Sequence, residues 1–374
     1  MKDSRFYTLA RLLVTHSINV QPGEKVLVEN TDVPTEFTVA LIEAIGEVGG
    51  LPLVITHQQQ VLRSLIRNAT EEQMKTIGDI ETVRMEAVQC YIAVRGTHNS
   101  SEYSDIPGDK MAVYEKQWWH RVHSNIRVPH TKWVVLRWPH PSMAQSAGMS
   151  TEAFEDFYFR VCGGVDYKQM ERAVEPLRQL MANTDRVRIT GPGTDLSFSI
   201  KGIGAIPCTG HRNIPDGECF TAPVRDSVNG TLQYNCDTVY RGTVFSGVRF
   251  RFENGKIVEA EAGGNTAKLN EILDSDEGAR YIGEWSLGFN PFVTIPMRDT
   301  LFDEKIAGSF HMTPGNAYDI ADNGNKSQIH WDMVCLQDAK NGGGRIYFDD
   351  VLIREDGIFT LPELQSLNPE SFGA

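Results

Sequence analysis

Residues 25–57 read KVLVENTDVPTEFTVALIEAIGEVGGLPLVITH, and this stretch decides the fold class of the first half of the chain. Residues 25–29 form a short apolar run that predicts a strand. Residues 34–48 have the apolar spacing of a helix, which the glycine pair at 49–50 would end. Residues 52–57 predict a second strand. A strand, a helix and a strand in this order indicate a parallel β-α-β unit.

The same alternation continues towards residue 180. Thr70 is a good helix N-cap, and the acidic pair at 71–72 suits the first turn of a helix over 70–77. The sequence predicts further strands at 90–94 and 132–138, and further helices at 110–124, 150–162 and 166–183. We therefore predict an α/β domain over residues 1–180, with a mostly parallel sheet and helices on its faces.

The pattern changes near residue 185, where short strands replace the alternation. Residues 186–190 and 195–200 predict a hairpin, and so do 248–252 and 256–260 around Asn254-Gly255, which supplies the positive φ of a tight turn. Two more strands are predicted at 345–348 and 351–354, and one helix at 266–273. A chain of 374 residues suggests two domains. We predict that the second, over residues 181–374, is α+β with antiparallel sheet.

Composition limits the classes of partner. The net charge is −13, which argues against a nucleic-acid partner because phosphate binding needs a basic surface. No apolar run approaches the length of a membrane span. The six cysteines include no Cys-x-x-Cys pair, and such scattered cysteines are typical of reduced thiols in a cytoplasm.

Residues 327–334, SQIHWDMV, contain the first candidate metal ligands. In an extended strand, side chains alternate faces, so His330 and Asp332 would point the same way. An imidazole and a carboxylate on one face are suitable ligands for a divalent metal. For these two residues alone, a buried hydrogen-bonded pair explains the pattern equally well.

Three earlier segments carry further candidates: residues 213–223 (NIPDGECFTAP) contain Glu218, residues 280–291 (RYIGEWSLGFNP) contain Glu284, and residues 308–318 (GSFHMTPGNAY) contain His311 and Tyr318. Glu218 alone would be read as a solvated turn residue. Glu284 is the only acid in an apolar run, and its burial would be costly without a metal or a cation such as Arg280. Two Glu, two His and one Asp suffice for two metals that share a carboxylate.

These segments resemble the thermophilic aminopeptidase family, of the aminopeptidase T and AmpS type. The order Glu, Glu, His, Tyr, His-x-Asp matches, as do the phrases Pro-Asp-Gly-Glu, Leu-Phe-Asp-Glu-Lys and Ile-His-Trp-Asp. The resemblance implies a homodimeric metalloaminopeptidase that acts on short peptides with two divalent ions (Zn, Co or Mn). It places Glu218, Glu284, His311, His330 and Asp332 as ligands, with Glu284 also catalytic and Tyr318 as the active-site tyrosine. The first domain would wall the cleft and contribute to dimerisation.

Two rival functions remain. Dihydroxypyridine dioxygenases are similar to this family in fold and use one non-haem iron, held by two His and one carboxylate. A metal-stabilised binding protein without turnover is the other. Outside the motif, His120 and His123 have the spacing of one helix face, which suits metal ligands but is more typical of an amphipathic helix that packs its tryptophans.

Overall fold

The computed structural model describes residues 3–373. The chain forms two compact units: Met1–Gly164 with Gly210–Ile214, and Val165–Thr209 with Pro215–Ala374. The division falls earlier than the predicted boundary at 180/181 because the helix Tyr167–Asn183 packs in the second unit, where the buried Tyr167 hydroxyl accepts a hydrogen bond from the Asp216 amide. No helix among residues 3–373 is long and apolar enough to cross a membrane.

Helices and strands are numbered in chain order. The α-helices are Ser4–Leu12 (α1), Thr35–Glu47 (α2), Gln59–Asn68 (α3), Glu71–Glu86 (α4), Gly108–Tyr114 (α5), Val128–His130 (α6), Pro141–Ser146 (α7), Thr151–Gly163 (α8), Tyr167–Asn183 (α9), Thr266–Leu273 (α10) and Thr300–Asp303 (α11). Wider π-helical segments span Leu13–Ser17 and Glu115–Arg127, and short 3₁₀ turns span Asp319–Ala321, Ala339–Asn341, Pro362–Leu367 and Pro369–Phe372.

The first ten strands are Lys25–Thr31 (β1), Leu51–His57 (β2), Cys90–Arg95 (β3), Lys132–Arg137 (β4), Arg186–Gly191 (β5), Thr194–Ser199 (β6), Ile206–Cys208 (β7), Asn213–Ile214 (β8), Glu218–Thr221 (β9) and Asn229–Gln233 (β10). Those that follow are Thr238–Tyr240 (β11), Thr243–Phe245 (β12), Arg249–Glu253 (β13), Lys256–Glu261 (β14), Ile282–Gly288 (β15), Ser309–Pro314 (β16), Met333–Leu336 (β17), Arg345–Phe348 (β18), Val351–Glu355 (β19) and Ile358–Phe359 (β20).

The first unit contains a five-stranded parallel sheet in the order β2-β1-β3-β4-β8. Its central strands are apolar because both faces of the sheet are covered, as the burial of Val26, Val28, Ile92 and Val134 shows. The predicted α/β class is confirmed. The helix expected at 110–124 is present, but its second part is the π-helical Glu115–Arg127.

The second unit contains two large sheets. One has eight strands in the order β14-β13-β10-β6-β5-β18-β19-β20, and the other has five in the order β17-β16-β15-β9-β7. Every pairing within the five-stranded sheet is antiparallel, which confirms the predicted α+β class. The two sheets pack through Trp285, which is fully buried and meets the rings of Phe198 and Phe348 with centroids 5.2 and 6.0 Å away.

Candidate metal centre

The face of the five-stranded sheet opposite Trp285 carries the predicted ligands. In the β-sheet register, Glu218 on β9 lies opposite Gly288 on β15, and His311 on β16 lies opposite Ser286. Because residues directly opposite share a face and alternate residues along a strand do too, Glu218, Glu284 and His311 all lie on this face. Gly217, just before β9, has φ +136° and would meet Asn290 at 2.9 Å if it carried a Cβ. Glycine at this position therefore allows the start of β9 to lie close to Asn290.

His311 is the centre of the first group. It is completely buried, its Nε2 lies 2.9 Å from Glu284 Oε1, and its Nδ1 lies 3.5 Å from Glu218 Oε2. Ser286 donates a hydrogen bond to the same Glu218 oxygen at 2.9 Å. Neutral imidazole can donate through only one nitrogen, so one of its two carboxylate contacts needs a proton or a metal ion.

His330 and Asp332 complete the cluster. His330 Nε2 lies 3.2 Å from Asp332 Oδ1 and 3.7 Å from Glu284 Oε2, while its Nδ1 faces the Asn316 carbonyl at 2.8 Å. Thr313 donates to Asp332 at 2.6 Å. The two side chains share a side, as expected, but the predicted strand over this segment begins only at Met333. His330 instead makes an isolated bridge to Gly315, and the chain then turns into β17.

The donor set fits divalent cations. Ligand atoms of Glu218, Glu284 and His311 lie within 4.8 Å of one another, and so do those of Glu284, His330 and Asp332, so Glu284 belongs to both groups. Glu284 Oε2 and His311 Nδ1 are buried and have no hydrogen-bond partner among the described residues. Buried polar atoms of this kind are normally satisfied, and a metal ion would satisfy both.

Three charged residues in this cluster carry no predicted role: Asp216, Glu304 and Lys305. Lys305 is 1% exposed, and its ammonium lies 2.5 Å from Glu218, 2.6 Å from Glu304 and 3.8 Å from Asp216. Glu304 also shares a 4.8 Å group with His311 and Asp332. The segment Leu-Phe-Asp-Glu-Lys could have signalled Glu304, because its acids adjoin a short apolar run.

The cluster is strongly negative, and the titration of its histidines reflects this. Burial opposes the charged form of His330, yet Asp332 and Glu284 outweigh it and raise its pKa to about 10. Burial likewise opposes protonation of His311, and its contacts with Glu284 and Glu218 raise its pKa to about 9. Burial and the nearby Glu218 raise the pKa of Glu304 to about 8, although Lys305 acts in the opposite direction. These carboxylates lack enough cationic partners.

Tyr318 lies at the edge of the cluster. Its ring packs against His330 with centroids 4.7 Å apart and against Phe220 at 5.9 Å, and the residue is 48% exposed. A tyrosine that is anchored on one side and open on the other is suited to contact a bound substrate. The predicted site residues are thus brought together on one side of the sheet.

The alternative partner for Glu284 is excluded by the structure. The Arg280 guanidinium instead bonds Asp274 at 2.5 Å and Asn270 at 2.9 Å. Arg225, which follows the Glu218 loop, bonds Asn325 and stacks over the Tyr281 ring. Among the described residues, Lys305 is the only lysine or arginine in ion-pair contact with the ligand cluster.

Comparison with known proteins agrees with this geometry. Residues 2–359 match the family model described as thermophilic metalloprotease (M29). The chain belongs to this family. Its members are metallopeptidases by description, so the protein is a metal-dependent hydrolase of peptide bonds, and the predicted family resemblance is confirmed.

Individual relatives cover most of the chain. It is 28% identical to aminopeptidase T of Thermus thermophilus over 83% of its length and 84% of the relative's. It is 24% identical to aminopeptidase AmpS of Bacillus subtilis over 89% of each chain. The solved structure of AmpT from Thermus thermophilus superposes with a TM-score of 0.82 at 24% identity, over 96% of this chain and 99% of that one.

A second solved structure shares the fold at greater distance. It is 2,5-dihydroxypyridine dioxygenase from Pseudomonas putida KT2440, with a TM-score of 0.61, 14% identity, and coverage of 97% of this chain and 99% of that one. At this identity the likeness shows a common fold and nothing about the reaction.

Proposed function

We propose that this member of the metalloprotease family is an aminopeptidase that releases N-terminal residues from short peptides. The observation that carries the proposal is the buried cluster in which Glu284 adjoins both a Glu–His and a His–Asp group. The relatives named aminopeptidase T and AmpS support the same activity.

The proposed ligands are Glu218, Glu284, His311, His330 and Asp332, and the proposed occupants are two divalent ions, Zn, Co or Mn. The charge of the cluster supports bound cations. Among the described residues, Lys305 is the one lysine beside five carboxylates: Asp216, Glu218, Glu284, Glu304 and Asp332. Divalent cations would displace the protons that the raised pKa values of His311, His330 and Glu304 otherwise retain. The carboxylate-rich set suits these metals better than a single iron, which needs open positions more than extra carboxylates.

When bound, such ions lower the pKa of a water molecule and polarise a peptide carbonyl. The chain's own residues would do the rest. Glu304, whose carboxylate lies beside His311 and Asp332, is placed to accept a proton from the attacking water and return it to the leaving amine. Tyr318 would donate a hydrogen bond to the oxyanion that develops on the carbonyl. Lys305 would hold Glu218 and Glu304 in place by its two short ion pairs.

Selectivity for a free N-terminus follows from the chemistry of the amine. A free α-amino group can bind a metal ion or pair with a carboxylate of the cluster, and an acetylated nitrogen can do neither. Acetylation should therefore abolish binding in the productive orientation.

The test is a pair of substrates that differ only at the N-terminus. The protein, loaded in turn with Zn²⁺, Co²⁺ or Mn²⁺, is given leucyl-p-nitroanilide or its N-acetyl derivative. We expect release of p-nitroaniline from the free substrate alone. Equal cleavage of both substrates would contradict the aminopeptidase proposal and indicate a different peptidase. If neither is cleaved, and p-nitroanilides of other amino acids are not cleaved either, the proposal that the protein is an active aminopeptidase is wrong.

We further propose a cytoplasmic homodimer. The six cysteines are all free thiols, which is consistent with a reducing compartment. The edge strand β2 supports dimerisation because it exposes Leu51, Leu53 and Val54, at 50%, 42% and 39%, and an exposed apolar edge readily pairs with a second copy.

Sedimentation velocity tests this assembly. The parent protein should sediment as a dimer, and Leu53→Lys should sediment as a monomer because it places a charge on the edge. Val83→Lys alters an equally apolar residue of α4 that is 68% exposed, and it should remain dimeric. A monomeric parent would contradict the dimer, and a dimeric Leu53→Lys would contradict the β2 interface.

A further inference from the structure

The parallel sheet of the first unit has a switch point between β1 and β3. Strand β1 pairs with β2 on one side and with β3 on the other, so the connections leave in opposite directions. In open α/β sheets, ligands bind near the carboxyl ends of the strands at such a point. A cavity of about 240 Å³ lies here, lined by residues of both strands. It has no part in the proposed peptidase chemistry.

The sheet register places the charged residues of this cavity side by side. Glu29 on β1 is opposite Ala93 on β3, and Thr31 is opposite Arg95. Arg95 is in turn opposite Arg137 on β4. All five residues line the cavity, so two guanidinium-bearing residues meet at the carboxyl ends of adjacent strands.

Positive charge is in excess around the cavity. Like charges directly opposite in a sheet are unfavourable, and the Arg95 side chain has no hydrogen bond or ion pair among residues 3–373, although its carbonyl accepts a hydrogen bond from the Trp138 amide. Arg127 adds a third guanidinium over the rings of Tyr91 and Trp133, at 5.4 and 4.5 Å from their centroids. Arg127 is 6% exposed, and its Nε and Nη1 have no partner among the described residues. Burial lowers the pKa of Arg127, as expected for a cation without an adjacent carboxylate.

Glu29, the one acid that lines the cavity, already has partners within the chain. Glu29 accepts a hydrogen bond from the Tyr91 hydroxyl at 2.8 Å and lies 3.3 Å from His57 Nε2. Burial opposes ionisation of Glu29, but these contacts and the nearby His123 lower its pKa to about 2, so it is a carboxylate at neutral pH. Glu29 therefore offsets one positive charge and leaves Arg95 and Arg127 without an ion pair among the described residues.

The Nδ1 atom of His123 has no hydrogen-bond partner among the described residues. The residue lines the cavity and is 7% exposed. Burial lowers the pKa of His123 to about 4, so its imidazole is neutral and can donate one hydrogen bond without adding charge. It lies on the π-helical segment Glu115–Arg127, a geometry that recurs at functional sites.

The rest of the wall is aromatic: Tyr91, Tyr103, Tyr114 and Trp119. A volume of about 240 Å³ has room for roughly eight waters, which corresponds to a ligand of about ten non-hydrogen atoms. We propose that this cavity is a binding site for a small aromatic carboxylate, whose carboxylate pairs with Arg95 and Arg137 and whose ring packs against the tyrosines and Trp119. A free aromatic amino acid and a simple aromatic acid share this chemistry.

Isothermal titration calorimetry of the full-length, metal-loaded protein tests the proposal. The ligands are 3-phenylpropionate, phenylalanine, phenethylamine and inorganic phosphate. We expect one molecule of an aromatic carboxylate to bind per chain, with a Kd on the order of 0.1 mM. Tighter binding of phenylalanine would identify amino acids as the natural source, and tighter binding of 3-phenylpropionate would identify simple acids. Binding of phenethylamine alone, or of phosphate as tightly as 3-phenylpropionate, would overturn the proposal.

Matched variants locate the binding. Arg95→Gln should weaken 3-phenylpropionate binding at least about tenfold, because it removes a charge-assisted pair. Arg11→Gln, an exposed arginine of the same unit, should not. Ala93→Leu fills the cavity without altering charge, should also weaken binding, and decides the question if Arg95→Gln fails to fold. Glu284→Ala should bind normally, which separates this site from carboxylate binding at the proposed metals. Unchanged binding in folded Arg95→Gln or Ala93→Leu would refute the assignment.

Discussion

At the scale of single residues, Lys305 determines how the metal cluster is held together. A lysine that is 1% exposed would lose hydration at high cost, and its ion pairs with Glu218 and Glu304 offset that cost. The sequence could predict the acids and histidines proposed as ligands, through their residue types and the family resemblance, but not Asp216 or Glu304. It could not predict Lys305, because lysine at one position of a short motif is normally a surface residue.

Replacement of Lys305 by methionine would leave Glu218 and Glu304 buried without their cation. We expect Lys305→Met to lower the free energy of unfolding of the metal-free protein by about 3–5 kcal/mol. Urea denaturation in the presence of a chelator measures this change. The matched control is Lys201→Met, which removes an exposed lysine paired with Asp185 at 3.5 Å and should change little. Equal stability of the two variants would show that the buried pairs contribute nothing.

A substitution of Tyr318 distinguishes a catalytic role of its hydroxyl from a packing role of its ring. If its hydroxyl stabilises the oxyanion, Tyr318→Phe should lower kcat by roughly 10²–10³ while metal content stays unchanged. Steady-state kinetics together with elemental analysis measures both. A normal kcat would make the tyrosine a packing partner of Phe220 and His330, and a loss of metal would make it a ligand.

At the scale of elements, one sheet places the candidate ligands. Alternation along β15 puts Glu284 and Ser286 on one face, and the register with β9 and β16 brings Glu218 and His311 to them. Sequence patterns predicted neither these three strands nor their pairing, because register depends on partners far away in the chain. For the same reason the strand predicted around His330 is shorter: the segment before Met333 bonds Gly315 and Asn316 instead of a ladder.

Ser286 tests the coupling between these strands. Its hydroxyl, fully buried on β15, orients Glu218 on β9 through a 2.9 Å hydrogen bond. We expect Ser286→Ala to weaken metal binding by roughly 10–100-fold, as loss of a hydrogen bond that orients a ligand does. Competition with a chromogenic chelator measures the affinity. Ser197→Ala, on the exposed side of β6, is the control and should bind normally. An unchanged affinity in Ser286→Ala would mean that Glu218 needs no such support.

At the scale of the whole molecule, the change of pattern near residue 185 was sufficient to predict an α/β half and an α+β half. The position of the division was not readable, because α9 looks like the last helix of an alternating domain and only its packing assigns it to the second unit. The cavity at the switch point could not be predicted from the sequence either. Arg95 and Arg137 lie 42 residues apart and share no local motif, and only the parallel register makes them neighbours.

The central claim is that five side chains hold two metals for peptide hydrolysis, and metal content per chain tests it most directly. Elemental analysis of the parent should give about two divalent ions per chain. Glu284→Ala, which removes the carboxylate common to both groups, should lose at least one ion and all peptidase activity while its circular dichroism spectrum is unchanged. Full metal content and full activity in Glu284→Ala, or about one iron per chain in the parent, would contradict the account.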